Sequence, residues 1–131
     1  MPSIFSKIVS GEISCYKIAE EENHLAFLDV FPLVKGHTLV IPKKETDYIF
    51  DIEDKEFSDL QLFAKKVAKA IEKSVPCKRI GVAVLGLEVP HAHIHLIPIN
   101  NVGDINFSRP KLNLPKDEME AIAKKIREQL K

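Results

Sequence analysis

The sequence has no excess of charge of either sign, since nineteen Lys and Arg residues balance nineteen Asp and Glu residues. A protein that binds a nucleic acid polymer needs a basic surface. The basic residues here are scattered among acidic ones, so no such partner is expected, whereas one small anionic ligand needs only a local site. No run of eighteen apolar residues occurs, so neither a transmembrane helix nor a membrane partner is expected.

Cysteine is scarce: Cys15 and Cys77 are far apart and form no CxxC pattern. One disulfide is conceivable, but two free thiols in a reducing compartment fit better. The first residues lack the long apolar core of a signal peptide, so the expected location is the cytoplasm. The 131 residues contain no repeat and no linker, and they suit one domain with a single core.

The chain does contain short apolar segments and two longer amphipathic ones. Ser3 is suited to cap a short helix that ends near Gly11. Strands are predicted over 24–30, 36–41, 79–85 and 91–99. Apolar residues spaced three and four apart predict a helix over 55–74 with Asp54 as its cap, and Pro115 begins a last helix after an irregular stretch. The order α-β-β-α-β-β-α predicts an α+β fold with an antiparallel sheet, in which the first two strands pair.

Three of the five histidines fall within residues 91–97, which read His-Ala-His-Ile-His-Leu-Ile. Because successive side chains of a strand point to opposite faces, His91, His93 and His95 share one face, at a spacing of roughly 6.5–7 Å. Three purely structural histidines would crowd like charges as they protonate, so a chemical role is favoured. Imidazole is a nucleophile and an acid/base near neutral pH, and histidines at i and i+2 also suit zinc. The residues alone leave metal-dependent and metal-free phosphate chemistry equally open.

Four segments together resemble the histidine triad (HIT) superfamily, and its Hint branch more than its Fhit branch. They are the histidine run 91–97, Ile4-Phe5-Ser6-Lys7-Ile8-Val9 with Glu12-Ile13, Leu25-Ala26-Phe27-Leu28-Asp29-Val30, and Gly36-His37-Thr38-Leu39-Val40-Ile41-Pro42-Lys43-Lys44. The resemblance implies a single HIT domain over 1–131, with a core at about 3–100 and a C-terminal extension with a helix at about 101–131. The implied fold has an antiparallel sheet of about five strands, a long helix and a short N-terminal helix.

The resemblance also implies roles for individual residues. His93 would be the nucleophile that becomes nucleotidylated, and His95 and His91 would bind phosphate oxygens and support its tautomer and orientation. His37 would orient the triad or assist the leaving group, and Asp29 would hold the ribose hydroxyls. The residues matching the base pocket, each of which would also serve as plain core, are Phe5, Ile8, Ile13, Phe27, Val30 and Leu39. The implied assembly is a homodimer that shares a continuous sheet, and the implied ligands are purine nucleotides or nucleotide conjugates.

A departure from the family pattern bears on metal binding. Some members hold a structural zinc with a Cys-x-x-Cys pair, a histidine after Pro-Lys-Lys and the first triad histidine. In this chain Ser3 and Ser6 replace the cysteines, and Glu45 replaces the histidine. Hydroxyls bind zinc far more weakly than thiolates, so neither a structural zinc nor any other cofactor is expected.

A second departure lies just before the triad, where Leu87 and Glu88 replace the family's Gln and hydroxyl residue. Glu88 would repel a phosphate unless it pairs, protonates or points away. It would serve either as a general acid for the leaving group or as a plain solvent-facing glutamate.

The sequence therefore predicts a hydrolase or transferase that cleaves at the α-phosphate of nucleoside 5′-phosphate derivatives through a nucleotidyl-histidine intermediate. Phosphoramidates, adenylylated compounds and dinucleoside polyphosphates all remain open as substrates. One rival interpretation is a nucleotide-binding regulatory module with little turnover, which the Leu87-Glu88 segment supports. Another is a zinc hydrolase that uses His37, His91 and His93.

Overall fold

A computed structural model describes residues 2–130, and this part of the chain contains five strands and three α-helices. The strands are β1 (Lys17–Glu20), β2 (His24–Leu28), β3 (Thr38–Pro42), β4 (Arg79–Ala83) and β5 (Ile94–Ile99). The helices are α1 (Ile4–Val9), α2 (Asp54–Ser74) and α3 (Lys116–Glu128), with 3-10 turns at Ile49–Asp51 and Val102–Ile105. All strand pairs are antiparallel, and the order in the sheet is β1-β2-β3-β5-β4. The expected α+β fold and the pairing of β2 with β3 are confirmed.

Alternation along the strands gives the sheet two different faces. In β2, Ala26 and Leu28 belong to the large core, whereas Leu25 and Phe27 belong to a smaller cluster on the opposite face. The large core holds the apolar sides of the two longer helices, including Leu60, Phe63, Val67, Ile71, Met119, Ala123 and Ile126. The smaller cluster, with Phe5 from α1, comprises Phe5, Leu25, Phe27, Leu39 and Ile41. The long helices therefore occupy one face of the sheet and leave the other to the smaller cluster and to the histidines of the 91–97 run.

The helix ends are set by local hydrogen bonds. Ser3 Oγ accepts a hydrogen bond from the Ser6 N–H at 3.0 Å, which confirms Ser3 as the N-cap of α1. After this helix Gly11 has a φ of 86°, a left-handed conformation in which a Cβ would be strained. Asp54 was expected to cap α2, but it is the first helical residue, and Glu53 occupies the N-cap without a side-chain bond. Similarly, Pro115 lies at the N-cap of α3 and not in its first turn.

The strands differ from the sequence-based expectation in several places. The third strand spans Thr38–Pro42 where 36–41 is predicted, and the fourth ends at Ala83 where 79–85 is predicted. Periodicity missed β1, a strand of only four residues in which Ile18 alone is buried. The second strand ends at Leu28 because Asp29 Oδ1 accepts the Phe31 N–H at 2.9 Å and turns the chain. The last strand becomes regular only at Ile94, so the first two triad histidines precede it.

Two simpler expectations can be compared with the structure directly. Cys15 and Cys77 are free thiols, as predicted. Within residues 2–130, none of the helices has the length and apolar character that crossing a bilayer requires.

Two leucines on α2 test the packing of the large core as a matched pair. Leu60 is 1% exposed and Leu62 is 65% exposed. We expect Leu60→Ala to lower the free energy of unfolding by about 3 kcal/mol, because it leaves a cavity in the core. Leu62→Ala should change it by less than about 1 kcal/mol. Urea denaturation monitored by circular dichroism measures both values, and equal losses would contradict the assigned orientation of the helix.

Candidate active site

The triad histidines, His91, His93 and His95, lie on the face of the sheet opposite the long helices. Ala92 and Ile94, between them, pack into the large core. On the other face the ring centroids of His93 and His95 lie 4.9 Å apart, and Phe5 packs edge-on against His93 at the same distance. The three imidazoles are at most 8% exposed. The expected alternation holds, although only His95 belongs to the regular strand.

The orientation of His93 is set by a main-chain carbonyl. Its Nδ1 lies 2.8 Å from the carbonyl oxygen of His91, and a carbonyl can only accept a hydrogen bond. Nδ1 therefore carries the proton, and Nε2 of the neutral ring carries a lone pair. No side chain or main-chain group among residues 2–130 hydrogen-bonds to that Nε2. The ring thus has the state that a nucleophile requires.

A chain of hydrogen bonds gives His95 the tautomer opposite to that of His93. The Leu33 N–H donates to His37 Nδ1 at 3.0 Å, so Nε2 of the neutral His37 ring carries the proton. That Nε2–H donates to His95 Nδ1 at 2.9 Å. His95 Nδ1 is therefore an acceptor, and its Nε2 carries a proton. The ring of His95, 4.9 Å from that of His93 between centroids, thus carries a hydrogen-bond donor, and the ring of His93 carries a lone pair.

Burial keeps this chain of imidazoles neutral. It lowers the pKa of His37 to about 4 and the pKa of His95 to about 3, because the charged forms would lose hydration. The positive charge of Lys111 lowers both pKa values further. Asp29 Oδ2 lies 3.7 Å from His37 Nε2, but the neutral imidazole makes this a dipolar contact and not an ion pair at pH 7.

His91 is held differently from the other two triad histidines. Its ring is fully buried, with Nε2 2.7 Å from the Pro42 carbonyl oxygen and Nδ1 2.8 Å from Ser3 Oγ. Both nitrogens are engaged by the protein, so in this geometry the ring has none left for a phosphate oxygen. The direct phosphate contact expected of His91 does not fit this placement. Its main-chain carbonyl, in contrast, does support the tautomer of His93.

Two acidic residues flank the triad. Asp29 follows β2 with a side chain that is 21% exposed, and burial raises its pKa. Glu88 is exposed in the bend before His91, and its negative charge is a smaller cause of the same rise. Glu88 therefore lies on the side of the molecule that carries Asp29. Leu87 beside it is 89% exposed and contributes no wall to the triad.

The six residues expected to line a base pocket are only partly brought together. Those in or against the smaller cluster are Phe5, Ile8, Phe27 and Leu39. Phe5 connects this cluster to the triad through its contact with His93. Ile13 is half-buried outside the cluster, and Val30 is 52% exposed at the end of β2. Four of the six residues therefore share one apolar cluster beside the triad, whereas Ile13 and Val30 lie outside it.

The residues named by the zinc hydrolase interpretation do not converge. Within the described chain, the group whose potential ligand atoms lie within 4.8 Å of one another is Asp29, His37 and His95. His37 and His95 already hydrogen-bond to each other, and His91 and His93 are not in the group. The trio that this interpretation requires is thus not assembled.

The positions of the structural zinc in some relatives do meet in space. Ser3 Oγ and Ser6 Oγ lie 2.8 and 3.4 Å from His91 Nδ1, and Glu45 Oε1 accepts the Ser3 N–H and the Ser6 hydroxyl at 2.7 Å. These contacts are ordinary hydrogen bonds through two hydroxyls and a carboxylate. Such a donor set does not fit a structural zinc, which is held by thiolates and imidazoles.

Comparison with known proteins identifies the family. A model of the HIT domain matches residues 10–102. The chain belongs to the HIT family. It is 35% identical over 133 residues to a Schizosaccharomyces pombe protein named adenosine 5′-monophosphoramidase hnt1, with full coverage of both chains.

Solved HIT structures resemble the whole chain. A HIT-like protein from Bartonella henselae superposes with a TM-score of 0.84 and 32% identity, covering 98% of this chain and 96% of its own. A hypothetical histidine triad nucleotide-binding protein from Sulfolobus tokodaii superposes with a TM-score of 0.83 and 29% identity, covering 97% and 91%.

The site of this HIT protein includes residues that the sequence motifs do not indicate. Phe107 packs edge-on against His95 with ring centroids 4.8 Å apart. The segment that carries Phe107 and Lys111 is held near the end of β2, since the Leu112 N–H donates to the Pro32 carbonyl at 2.8 Å. An aromatic residue in an otherwise polar stretch is the one signal that could have indicated this contact.

The neutral buried imidazoles predict how stability depends on pH. The unfolded chain protonates His37 and His95 near pH 6.5, whereas the native pKa values are about 4 and about 3. The unfolded state therefore binds more protons below pH 6.5, so the free energy of unfolding should decrease as pH falls from about 6.5 to 5. Carboxyl groups titrate mainly below this window. Urea unfolding at several pH values measures the slope, and NMR titration midpoints near 6.5 for these two rings would contradict the assignment.

Proposed function

We propose that this HIT protein is a nucleotide-binding hydrolase or transferase that cleaves at the α-phosphate of nucleoside 5′-phosphate derivatives. The observation that supports it best is the pair of opposite tautomers, a lone pair on His93 Nε2 beside a proton on His95 Nε2. A nucleophile and a hydrogen-bond donor on neighbouring rings suit an attack at phosphorus with stabilisation of the phosphate oxygens.

The proposed reaction has two steps. His93 Nε2 attacks the α-phosphorus and forms an N–P bond, while the bond from phosphorus to the leaving group breaks. The leaving group keeps the bonding electron pair and takes up a proton from solvent, and the hydrolysis step returns a proton to solvent. The nucleotidylated ring is cationic, and its Nδ1–H remains bonded to the His91 carbonyl, which stabilises that charge. Water then breaks the N–P bond and releases the nucleoside monophosphate, and transfer to another acceptor would replace water. Both steps use groups of the chain and need no metal to create the nucleophile.

Substrate recognition in this proposal uses the residues around the triad. Asp29, partly exposed at the end of β2, holds the ribose hydroxyls, because a carboxylate can accept hydrogen bonds from a vicinal diol. The base lies against Phe5 and the apolar cluster, with Val30 at the rim. Among the open substrate classes, the name of the fission yeast relative favours an adenosine phosphoramidate as the first to test. The free thiols agree with the expected cytoplasmic location, which stays a prediction.

A binding module with little turnover is the second candidate. Leu87 and Glu88 are exposed, so they do not supply the contacts that the family's Gln and hydroxyl residue make to the phosphate. A site that binds a nucleotide but lacks these contacts would stabilise the transition state less and would turn over slowly. The activity measurement below distinguishes the two.

We also propose that the protein is a homodimer. Within residues 2–130 the outer strand β4 pairs only with β5, so one edge of the sheet is open, and Val82 on that strand is 61% exposed. An adjacent groove is lined by apolar residues of the 48–50 turn and the 84–87 segment, including Tyr48, Phe50, Val84, Leu85 and Leu87. An open edge beside an exposed apolar surface favours pairing with a second copy into a continuous sheet.

The role of His93 is tested by substitution, with a second buried histidine outside the site as the control. His24 is 7% exposed and packs on Phe63, outside the site. With adenosine 5′-phosphoramidate as substrate, we expect His93→Ala to reduce AMP release by at least roughly 10³-fold. His24→Ala should retain activity within a few-fold.

The same experiment separates the two candidate functions. Rapid acid-free quenching of the wild type should give a nucleotide-sized mass increase on the 91–97 peptide. Equal AMP release by wild type and His93→Ala would refute His93 as the nucleophile. Tight nucleotide binding without AMP release would establish the binding module instead.

The dimer is tested at the edge strand. Val82→Lys should convert the protein to a monomer, because a buried lysine would lose hydration at the interface. Ile4→Lys, at a position 51% exposed on α1, is the control and should remain dimeric. Size-exclusion chromatography with light scattering gives the mass of each, and a wild-type monomer at micromolar concentration would contradict the proposal.

A further inference from the structure

A cluster of three polar residues connects the start of α1 to the first triad histidine. Ser3 Oγ lies 2.8 Å from His91 Nδ1, although the two residues are 88 positions apart. The Ser3 N–H and the Ser6 hydroxyl each donate to Glu45 Oε1 at 2.7 Å. Ser3 is 5% exposed and His91 is fully buried, so the contact between them lies within the protein. Glu45 is exposed, so its bond from the Ser6 hydroxyl lies at the surface.

Only one assignment of donors and acceptors satisfies all the hydrogen bonds of this cluster. His91 Nε2 faces the Pro42 carbonyl at 2.7 Å and must donate, so Nδ1 of the neutral ring accepts from the Ser3 hydroxyl. Burial lowers the pKa of His91, which agrees with the neutral ring. Ser3 Oγ in turn accepts the Ser6 N–H at 3.0 Å. A helix cap needs only that last bond, whereas the hydroxyl proton is directed at His91.

The main chain at His91 depends on these contacts more than a strand residue would. The regular hydrogen bonds of β5 begin at Ile94, so the sheet does not hold the His91 carbonyl. This carbonyl accepts the Nδ1–H of His93 at 2.8 Å. The peptide group that bears this carbonyl is held by the Ala92 N–H, which donates to the Thr46 carbonyl at 2.7 Å. The ring of His91, anchored at both nitrogens, provides the side-chain contacts that hold the same residue.

We propose that Ser3, Ser6 and Glu45 are positioning residues for the reaction at His93. They hold the His91 ring, and the His91 carbonyl keeps the proton of His93 on Nδ1 and the lone pair on Nε2. This inference rests on the proposed function for its kinetic consequence, while its structural part concerns the protein alone.

The test compares variants that separate capping from positioning. Ser3→Ala removes the hydroxyl, and Ser3→Thr keeps both a cap and a hydroxyl donor. Ser10→Ala is the matched control, since the Ser10 hydroxyl is exposed and bonds the Lys7 carbonyl at the other end of α1. Glu45→Gln keeps an acceptor but removes the charge that orients Ser3 and Ser6.

The first readout is the tautomer of His93 in protein labelled with ¹⁵N-histidine, observed by NMR correlations within each ring. Wild type, Ser3→Thr and Ser10→Ala should show His93 protonated at Nδ1 only. Ser3→Ala should show a mixture of Nδ1-H and Nε2-H forms, and Glu45→Gln a smaller change in the same direction. An unchanged His93 in Ser3→Ala would overturn the proposal, even if that variant were less stable in urea.

The second readout is kinetic, with adenosine 5′-phosphoramidate as substrate. Ser3→Ala should lower kcat about tenfold with little change in KM, because the loss falls on the nucleophile and not on binding. Ser3→Thr and Ser10→Ala should remain within about twofold. Wild-type kcat in Ser3→Ala would also overturn the proposal. Absence of turnover in the wild type would instead refute the proposed function, and the NMR result would still decide the positioning role.

Discussion

Four imidazoles are buried close together in this protein, so each ring nitrogen must either form a hydrogen bond within the protein or face a ligand. A buried polar atom without a partner is costly, so the hydrogen bonds at Leu33, Pro42 and Ser3 are structural requirements before they are chemical ones. Each of these bonds also has a direction. A neutral imidazole carries one proton, so a donor at one ring nitrogen makes the other nitrogen an acceptor. The tautomer of His37 therefore determines the tautomer of His95.

The sheet supplies the geometry in which these bonds can form. Its helical face is filled by two long amphipathic helices, and its opposite face is closed by the short helix α1 and the apolar cluster around Phe27. With both faces covered, all five residues of β2 and of β3 are buried, which is unusual for an antiparallel sheet with only one helical layer. Rigid neighbours on every side suit a site whose reacting atoms require a narrow range of positions.

Much of this arrangement follows from patterns within one segment. The spacing of apolar residues predicts α2, and alternation predicts the common face of His91, His93 and His95. Patterns of that kind fail where a segment is too short to show a period, or where the interacting residues are far apart in the chain. The strand β1 has one buried residue and therefore no period to detect. The hydrogen bonds that set the tautomers of His95 and His91 join residues 58 and 49 positions apart, so no local pattern contains them. Asp54 shows a third limit, because an acidic residue suits both the cap and the first turn of a helix.

The order of strands in the sheet constrains when the site can exist during synthesis. The last strand of the described part of the chain, β5, lies between β3 and β4, and β4 has no other neighbour among those strands. Residues 79–83 therefore cannot join the sheet until residues 94–99 have left the ribosome, and the two strands then dock on β3 together. Docking brings His95 against His37 at the same moment. A growing chain therefore carries no partly assembled site, and its nucleophile becomes oriented only after most of the protein has been made.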